Sequence, residues 1–187
     1  ENILIATHDG RAITFDEKEV RAMGRTAVGV RGIRLNEGDY VIGAARARIG
    51  AQVLSITENG YGKRTPVEDF SVHHRGGGGI MLHQLTEKTG AVAGIAVVDE
   101  DEDVMIITSG GIIIRTAVDD IRECGRSSQG VIVMRTGEDV KVISITRAGK
   151  EEDASEQAGE VSETGEASEQ SAEEIGEGIE APETGDA

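Results

Sequence analysis

One pattern occurs three times in this chain and limits its fold more than any other feature. Ile3-Leu4-Ile5-Ala6-Thr7 returns as Val53-Leu54-Ser55-Ile56-Thr57 and as Val104-Met105-Ile106-Ile107-Thr108, at spacings of 50 and 51 residues. Each run leads into a Gly-bearing turn: His8-Asp9-Gly10, Glu58-Asn59-Gly60 and Ser109-Gly110-Gly111. A second signature keeps the same offsets, at Arg25–Val30, Arg75–Ile80 and Arg126–Val131. In every copy Arg stands four residues before a Gly, a β-branched residue follows that Gly, and a large apolar residue (Val20, Phe70, Ile121) stands five before the Arg. Two linked signatures in one register define an internal repeat.

Each copy reads as β. The runs are short and rich in Val and Ile, and the Asp-Gly and Asn-Gly pairs predict two-residue hairpins, where positive φ is needed. Helical periodicity is weak, and Pro66, the single proline of residues 1–149, is placed in the loop after a hairpin. The partition is 1–50, 51–101 and 102–149, with about four strands each. A four-stranded sheet of this size cannot bury both faces alone, so neighbouring sheets must stack as the blades of a propeller-like assembly. Closed radial arrangements use about 4–8 blades, so three leave an open arc with exposed edges. With Glu1 in place of an initiator Met, this predicts further blades in a longer parent chain. A solenoid of three β-units is the alternative.

Charge divides the chain in two. Of its 187 residues, 1–149 hold 18 Lys or Arg and 21 Asp or Glu, whereas 150–187 hold one Lys and 14 acids. The acidic segment carries only Val161, Ile175 and Ile179 as large aliphatics. That is too little apolar surface to offset the entropy of ordering it, so it is expected to be a disordered tail. It either solvates the protein or competes with a polyanion for a basic surface. The single cysteine, Cys124, excludes a disulfide framework and fits a reducing compartment. No apolar run reaches the roughly 18 residues of a membrane span. Two Phe, two Tyr and no Trp exclude a surface that stacks a series of unpaired bases.

Function is sought in chemistry repeated in register. Arg64 and Arg115 align with Thr14; Arg21 and Arg122 with Ser71; Arg25, Arg75 and Arg126 with one another; Arg34 and Arg135 with Gln84. Nine of these twelve slots hold Arg and none holds Lys. In a radial array such positions make a curved positive stripe, while acids gather elsewhere, most densely at Asp99–Asp103. Arg presents a planar fork that matches phosphate oxygens, and Gly76 and Gly77 beside Arg75 let backbone N–H groups approach closely. Without aromatics for stacking, the target is the backbone of bent duplex DNA, bound with little sequence preference and strong salt dependence. Two plainer readings stand beside this one. An Arg in register can bridge carboxylates of a neighbouring blade, and the Gly run can be only a sharp turn. His8, His73, His74 and His83 lack metal-ligand spacing and read as loop or surface histidines. Cys124 reads as a free structural thiol. No P-loop, nucleophile elbow or paired-carboxylate site is present.

The segment ILIATHDGRAITF, the signatures MGRTAVGVRGIRL, HHRGGGGIMLHQL and CGRSSQGVIVMRT, and the 50-residue spacing resemble the C-terminal domain of the A subunit of bacterial DNA gyrase over essentially all of 1–149. The resemblance implies an all-β, propeller-like pinwheel of about six blades that exchange strands. It implies that duplex DNA wraps on a basic perimeter, supporting negative supercoiling by an ATP- and Mg2+-dependent A2B2 holoenzyme with the B subunit of gyrase. The cleavage domain would lie upstream, and the setting is the bacterial cytoplasm at the chromosome, with no membrane. No catalytic residue, cofactor or metal site of the family falls on this segment. The family's Gln-Arg-Arg-Gly-Gly-Lys-Gly box is not intact: His73-His74-Arg75-Gly76-Gly77-Gly78-Gly79 is its nearest match, which implies that the box lies in an earlier blade. The corresponding chain of topoisomerase IV is the near alternative, and a bladed protein-interaction scaffold with structural arginines is the other.

Overall fold

The first apolar run of each repeat forms a strand, and the turn after it returns the chain alongside. In the computed structural model, which describes residues 1–149, these hairpins are β1 (Asn2–Thr7) with β2 (Arg11–Asp16), β4 (Gln52–Thr57) with β5 (Tyr61–Pro66), and β8 (Asp103–Thr108) with β9 (Ile113–Ala117). The acidic segment expected to be disordered lies outside the described residues.

The turns are not the two-residue kind. Gly10, Gly60 and Gly111 have φ of 75°, 80° and 77°, but Asp139 is the only non-glycine with positive φ among the described residues. Each Gly N–H instead bonds the carbonyl of the Thr three residues back, Thr7, Thr57 or Thr108, at 3.0–3.1 Å. This is a three-residue loop with glycine in the left-handed position, where a two-residue turn would need positive φ at both central residues. The Thr hydroxyls accept the N–H groups of Arg11, Tyr61 and Ile112, closing each loop a second time. That contact explains why all three runs end in Thr. Pro66 also differs from expectation: it is the last residue of β5, opposite Gln52.

Three further strands, β3 (Val41–Ala47), β7 (Val92–Val98) and β11 (Val142–Ala148), pair with the other edge of β1, β4 and β8. The fourth strand of a sheet comes from the next repeat. β6 (Ile80–Met81) pairs with β2, and β10 (Val131–Ile132) pairs with β5. The sheet orders are β3-β1-β2-β6, β10-β5-β4-β7 and β11-β8-β9. A contiguous repeat therefore does not build its own sheet, and the strand-exchange expectation holds. The Gly of the second signature makes the exchange possible. At Gly130 (φ 71°) a Cβ would stand 2.5 Å from the Gly62 carbonyl oxygen, and at Gly79 2.6 Å from that of Ala12.

Stacking fills two cores. Leu4, Ala12, Val53, Phe70, Leu82 and Val97 close the space between the first and second sheets, and Leu54, Ile56, Val98, Ile106 and Ile121 the space between the second and third. β4 lies in the middle sheet, so all six of its residues are buried. Val53 faces one neighbour, Leu54 and Ile56 the other, and each such side chain contributes about 1.5–3 kcal/mol. On the outer face of the first sheet, Ile13, Phe15 and Ile33 form a smaller cluster.

Gly60 and Gly111 separate backbone strain from contact. A Cβ on Gly111 meets nothing within 4 Å, whereas on Gly60 it would collide with the Met134 carbonyl oxygen. Gly111→Ala is expected to cost about 1–2 kcal/mol in urea unfolding, the left-handed penalty alone. Gly60→Ala is expected to cost at least about 1 kcal/mol more; equal losses would show that the junction yields freely.

Candidate nucleic-acid interface

The sheet order sets which residues face outward. β7 lies against both β3 and β11, so β6 and β10 occupy the opposite edges. The Arg signature is the loop that enters each of these outer strands: Arg75–Gly79 before Ile80, and Arg126–Gly130 before Val131.

Two of the three signature arginines, Arg75 and Arg126, are braced by main-chain carbonyls of the preceding repeat. Arg75 donates from Nε to Glu19 O at 3.0 Å and from Nη1 to Arg31 O at 3.0 Å, and its backbone N–H meets the Glu19 carboxylate at 3.1 Å. Arg126 Nη1 donates to Met81 O at 3.2 Å. Arg31 and Met81 are equivalent positions, so one brace occurs twice. Neither guanidinium pairs with a carboxylate among the described residues. Of five guanidinium N–H groups, most stay available on both.

Arginines gather around the Gly run. The Arg34 N–H bonds Gly77 O at 2.8 Å, and Arg34 Nη2 lies 3.6 Å from where a Gly78 Cβ would stand. Arg11 Nη1 donates to Gly78 O at 3.4 Å, and the Arg31 stem flanks Gly76. Arg11 and Arg31 are missed by a search for repeated slots, because their counterparts are Tyr61 and Ile112, and Met81 and Ile132. The density of MGRTAVGVRGIRL, with Arg25, Arg31 and Arg34 in thirteen residues, would have pointed to Arg31 but not to Arg11. Gly76 itself turns the chain at φ 79°, and its N–H is taken by Gly32 O, so it cannot serve as a phosphate donor. Gly77 is half-buried beside it. Arg21, Arg25, Arg34, Arg122 and Arg135 are exposed, and their side chains have no partner among the described residues.

The slot shared by Arg64, Arg115 and Thr14 departs from expectation. Arg64 is only 7% exposed. It donates to Ile121 O at 2.5 Å, Gln52 Oε1 at 2.8 Å and Glu100 Oε1 at 3.1 Å. Arg115 binds Asp103 Oδ2 at 2.7 Å and Gly149 O at 2.6 Å. Buried Arg64 ties its own repeat to main-chain carbonyls of the next, whereas exposed Arg115 is held by a carboxylate and a carbonyl of its own repeat; neither bridges a carboxylate of a neighbouring blade among the described residues. With Arg48 on Asp99 (2.8 Å) and Arg147 on Glu102, they match four of the five carboxylates of the 99–103 run. That acidic run is thus balanced from within.

Two buried polar groups are also unforeseen. Lys63 is fully buried on β5, and burial, assisted by the Arg126 charge, pushes its ammonium down to about 8 against an opposing pull from Cys124. His83, expected in a loop or on the surface, is 2% exposed, and burial followed by the Lys63 charge pushes it down to about 4. It is therefore neutral near pH 7. Its Nε2–H donates to Gln129 O at 3.0 Å, and Nδ1 accepts the Ser55 hydroxyl at 2.9 Å. His8 stacks on Tyr40 with centroids 4.5 Å apart, His73 and His74 are exposed, and Cys124 is free and half-buried.

Stacked antiparallel sheets that exchange outer strands, each exchange entered through an arginine loop, define a bladed β-protein of the propeller type. A family model described as DNA gyrase C-terminal domain, beta-propeller, matches residues 1–48, 51–99 and 102–148, and the chain belongs to that family. It is 47% identical over 159 residues to the A subunit of DNA gyrase from Staphylococcus aureus (strain MRSA252), covering 84% of this chain and 18% of that protein. The chain thus spans less than a fifth of the curated relatives it matches. The structure of a DNA gyrase A C-terminal domain superposes with a TM-score of 0.74 at 26% identity, covering 79% of this chain and 50% of that one. The C-terminal domain of a DNA topoisomerase IV gives a TM-score of 0.74 at 28% identity, covering 79% and 46%.

Arg64→Met is expected to cost about 2–3 kcal/mol in urea unfolding, because it leaves buried acceptors without a donor. Arg34→Ala should change stability by no more than about 0.5 kcal/mol. Similar losses at the two positions would erase the distinction between inward and outward arginines.

Proposed function

We propose that this chain binds and wraps duplex DNA along the outer edge of its sheets, as the C-terminal part of a DNA gyrase A protein. The repeated brace carries the reading. Carbonyls of the preceding repeat orient Arg75 and Arg126 without neutralising them, so charge is presented outward at equivalent places. The proposed contacts are Arg21, Arg25, Arg34, Arg75, Arg122, Arg126 and Arg135, with the Gly77 main chain, joined by Arg11 and Arg31. Arg64, Arg115 and Gly76 leave the set: Arg64 is buried, the Gly76 N–H is taken by Gly32 O, and Arg115, though exposed, is held by Asp103 and the Gly149 carbonyl.

Such contacts reach phosphates rather than base edges, so they position DNA without reading it. Aromatic stacking plays no part. Tyr40 stacks on His8, and Tyr61 lies under Lys88 Nζ at 5.6 Å from its centroid. Bending the duplex costs several kcal/mol, which contacts spread over successive blades offset. Residues 1–50, 51–101 and 102–149 are taken as three blades of a larger ring. In the longer protein the wrap would serve negative supercoiling, with the upstream cleavage domain of the same polypeptide and the B subunit of gyrase in an A2B2 holoenzyme. ATP and Mg2+ are assigned to those other parts by the likeness to gyrase. No helix among the described residues is long and apolar enough to cross a membrane, and the proposed place of action is the bacterial chromosome in the cytoplasm. The corresponding part of a topoisomerase IV is the second reading, favoured by the equal superposition on that domain.

A salt titration of duplex binding by the 187-residue chain tests the proposal. The log–log slope should report several released counterions, and Arg34→Ala and Arg135→Ala should each lower it by about one. A slope near zero, or one unmoved by these changes, would refute DNA wrapping and favour a protein-interaction scaffold.

A further inference from the structure

We propose that Lys63 is a positioning residue for DNA binding: from the second repeat it clasps the arginine loop of the third and sets Arg126 against the phosphate backbone. This rests on the DNA-binding reading above. Lys63 Nζ donates to Gly125 O at 2.8 Å, Arg126 O at 2.6 Å and Ser128 O at 3.0 Å. Three ammonium protons thus meet three carbonyls of one loop. Two of these carbonyls have a second donor, since Ser128 N–H reaches Gly125 O and Gln84 N–H reaches Ser128 O. The Arg126 carbonyl has Lys63 alone among the described residues. Neighbouring side chains of the second repeat extend the clasp: Thr65 Oγ1 donates to Cys124 O at 2.8 Å and His83 Nε2 to Gln129 O at 3.0 Å.

The other junction shows what the lysine adds. There the equivalent residue is Ile13, which packs beside Gly77. An apolar side chain is therefore enough to fill the slot. At that junction Arg75 makes two carbonyl bonds of its own and its N–H is held by Glu19, whereas Arg126 makes one. The loop with the weaker brace is the loop that has the buried ammonium. No carboxylate pairs with Lys63 among the described residues, and a buried unpaired charge is costly. Its return is loop order together with positive charge beneath the proposed contact surface.

The charged and titratable groups facing Lys63 are Arg126 and Cys124 from the loop and neutral His83 from its own repeat. With Lys63 pushed down to about 8 from 10.5, deprotonation leaves two N–H groups for three carbonyls. Between these values the unfolded chain holds a proton that the folded chain has lost. Across that window the unfolded state binds more protons, so global stability rises with pH while the clasp weakens. Global stability and loop order move in opposite directions.

The test is duplex affinity of the 187-residue chain across about pH 7 to 9.5, for wild type, Lys63→Met, Arg126→Ala and the double variant. Lys63→Met should weaken binding about three- to tenfold near pH 7, add nothing to Arg126→Ala, and flatten the fall in affinity through pH 8 expected of wild type. Wild-type strength in Lys63→Met, full additivity with Arg126→Ala, or a flat wild-type profile would overturn the inference. Should Lys63→Met fail to fold, amide protection in the wild type decides: residues 126–130 should lose protection above pH 8 relative to 75–79, and parallel behaviour would count against the clasp. Absence of salt-dependent binding by wild type would instead remove the DNA reading, and the protection measurement would still judge the clasp.

Discussion

The whole arrangement depends on main-chain pairing between consecutive repeats. β6 closes the sheet begun by the first repeat, and β10 closes that of the second. Each pairing is only two residues long, yet it is anchored on both sides. His73 N–H bonds Thr14 O and Cys124 N–H bonds Arg64 O before the strand, while Leu82 and Val133 N–H groups bond Gly10 and Gly60 O after it. Such bonds fix distance and register at once, so the loop that enters each outer strand has little freedom. The arginine signature lies in that loop. Fold and candidate interface therefore share one set of contacts, and disturbance of the junction would reach the binding surface.

Electrostatics follows from the same geometry. A chain with a large acidic excess looks like a poor partner for a polyanion until its charges are located. The acidic run 99–103 meets Arg48, Arg64, Arg115 and Arg147 within the body. The guanidiniums of Arg75 and Arg126, in contrast, are held by neutral carbonyls. Carboxylate partners would have cancelled the charge that a phosphate needs, whereas carbonyl partners fix the orientation and leave the charge in place. Arg48, Arg64, Arg115 and Arg147 thus each face a carboxylate, whereas no signature guanidinium pairs with one among the described residues.

Much of the fold is legible in the sequence because repetition amplifies weak signals. The hairpins, their glycines and the stacking of sheets all follow from two signatures in common register. The turn type is not legible, because Asp-Gly and Asn-Gly suit both two- and three-residue loops, and the Thr hydroxyl contact decides between them. For the site, register identifies the loops but cannot tell Arg64 from Arg75. Both are in repeated slots, and only the fold reveals that Arg64 is buried with a carboxylate beside it while Arg75 stays partly exposed on neutral carbonyls. The opposite failure affects Arg11, Arg31 and Lys63, which occur once and so have no register to betray them. His83 escapes for a related reason: a histidine flanked by Leu82 and Gln84 shows its burial only once the third repeat lies over it.

The most direct test of DNA wrapping on the outer edges is arginine-selective modification of the 187-residue chain by a dicarbonyl reagent, mapped residue by residue with and without duplex DNA. DNA is predicted to shield Arg34, Arg75, Arg126 and Arg135 at the outer edges and to leave Arg46 and Arg147 of the inner strands unchanged. Shielding of the inner-strand arginines with the outer loops still reactive would contradict it.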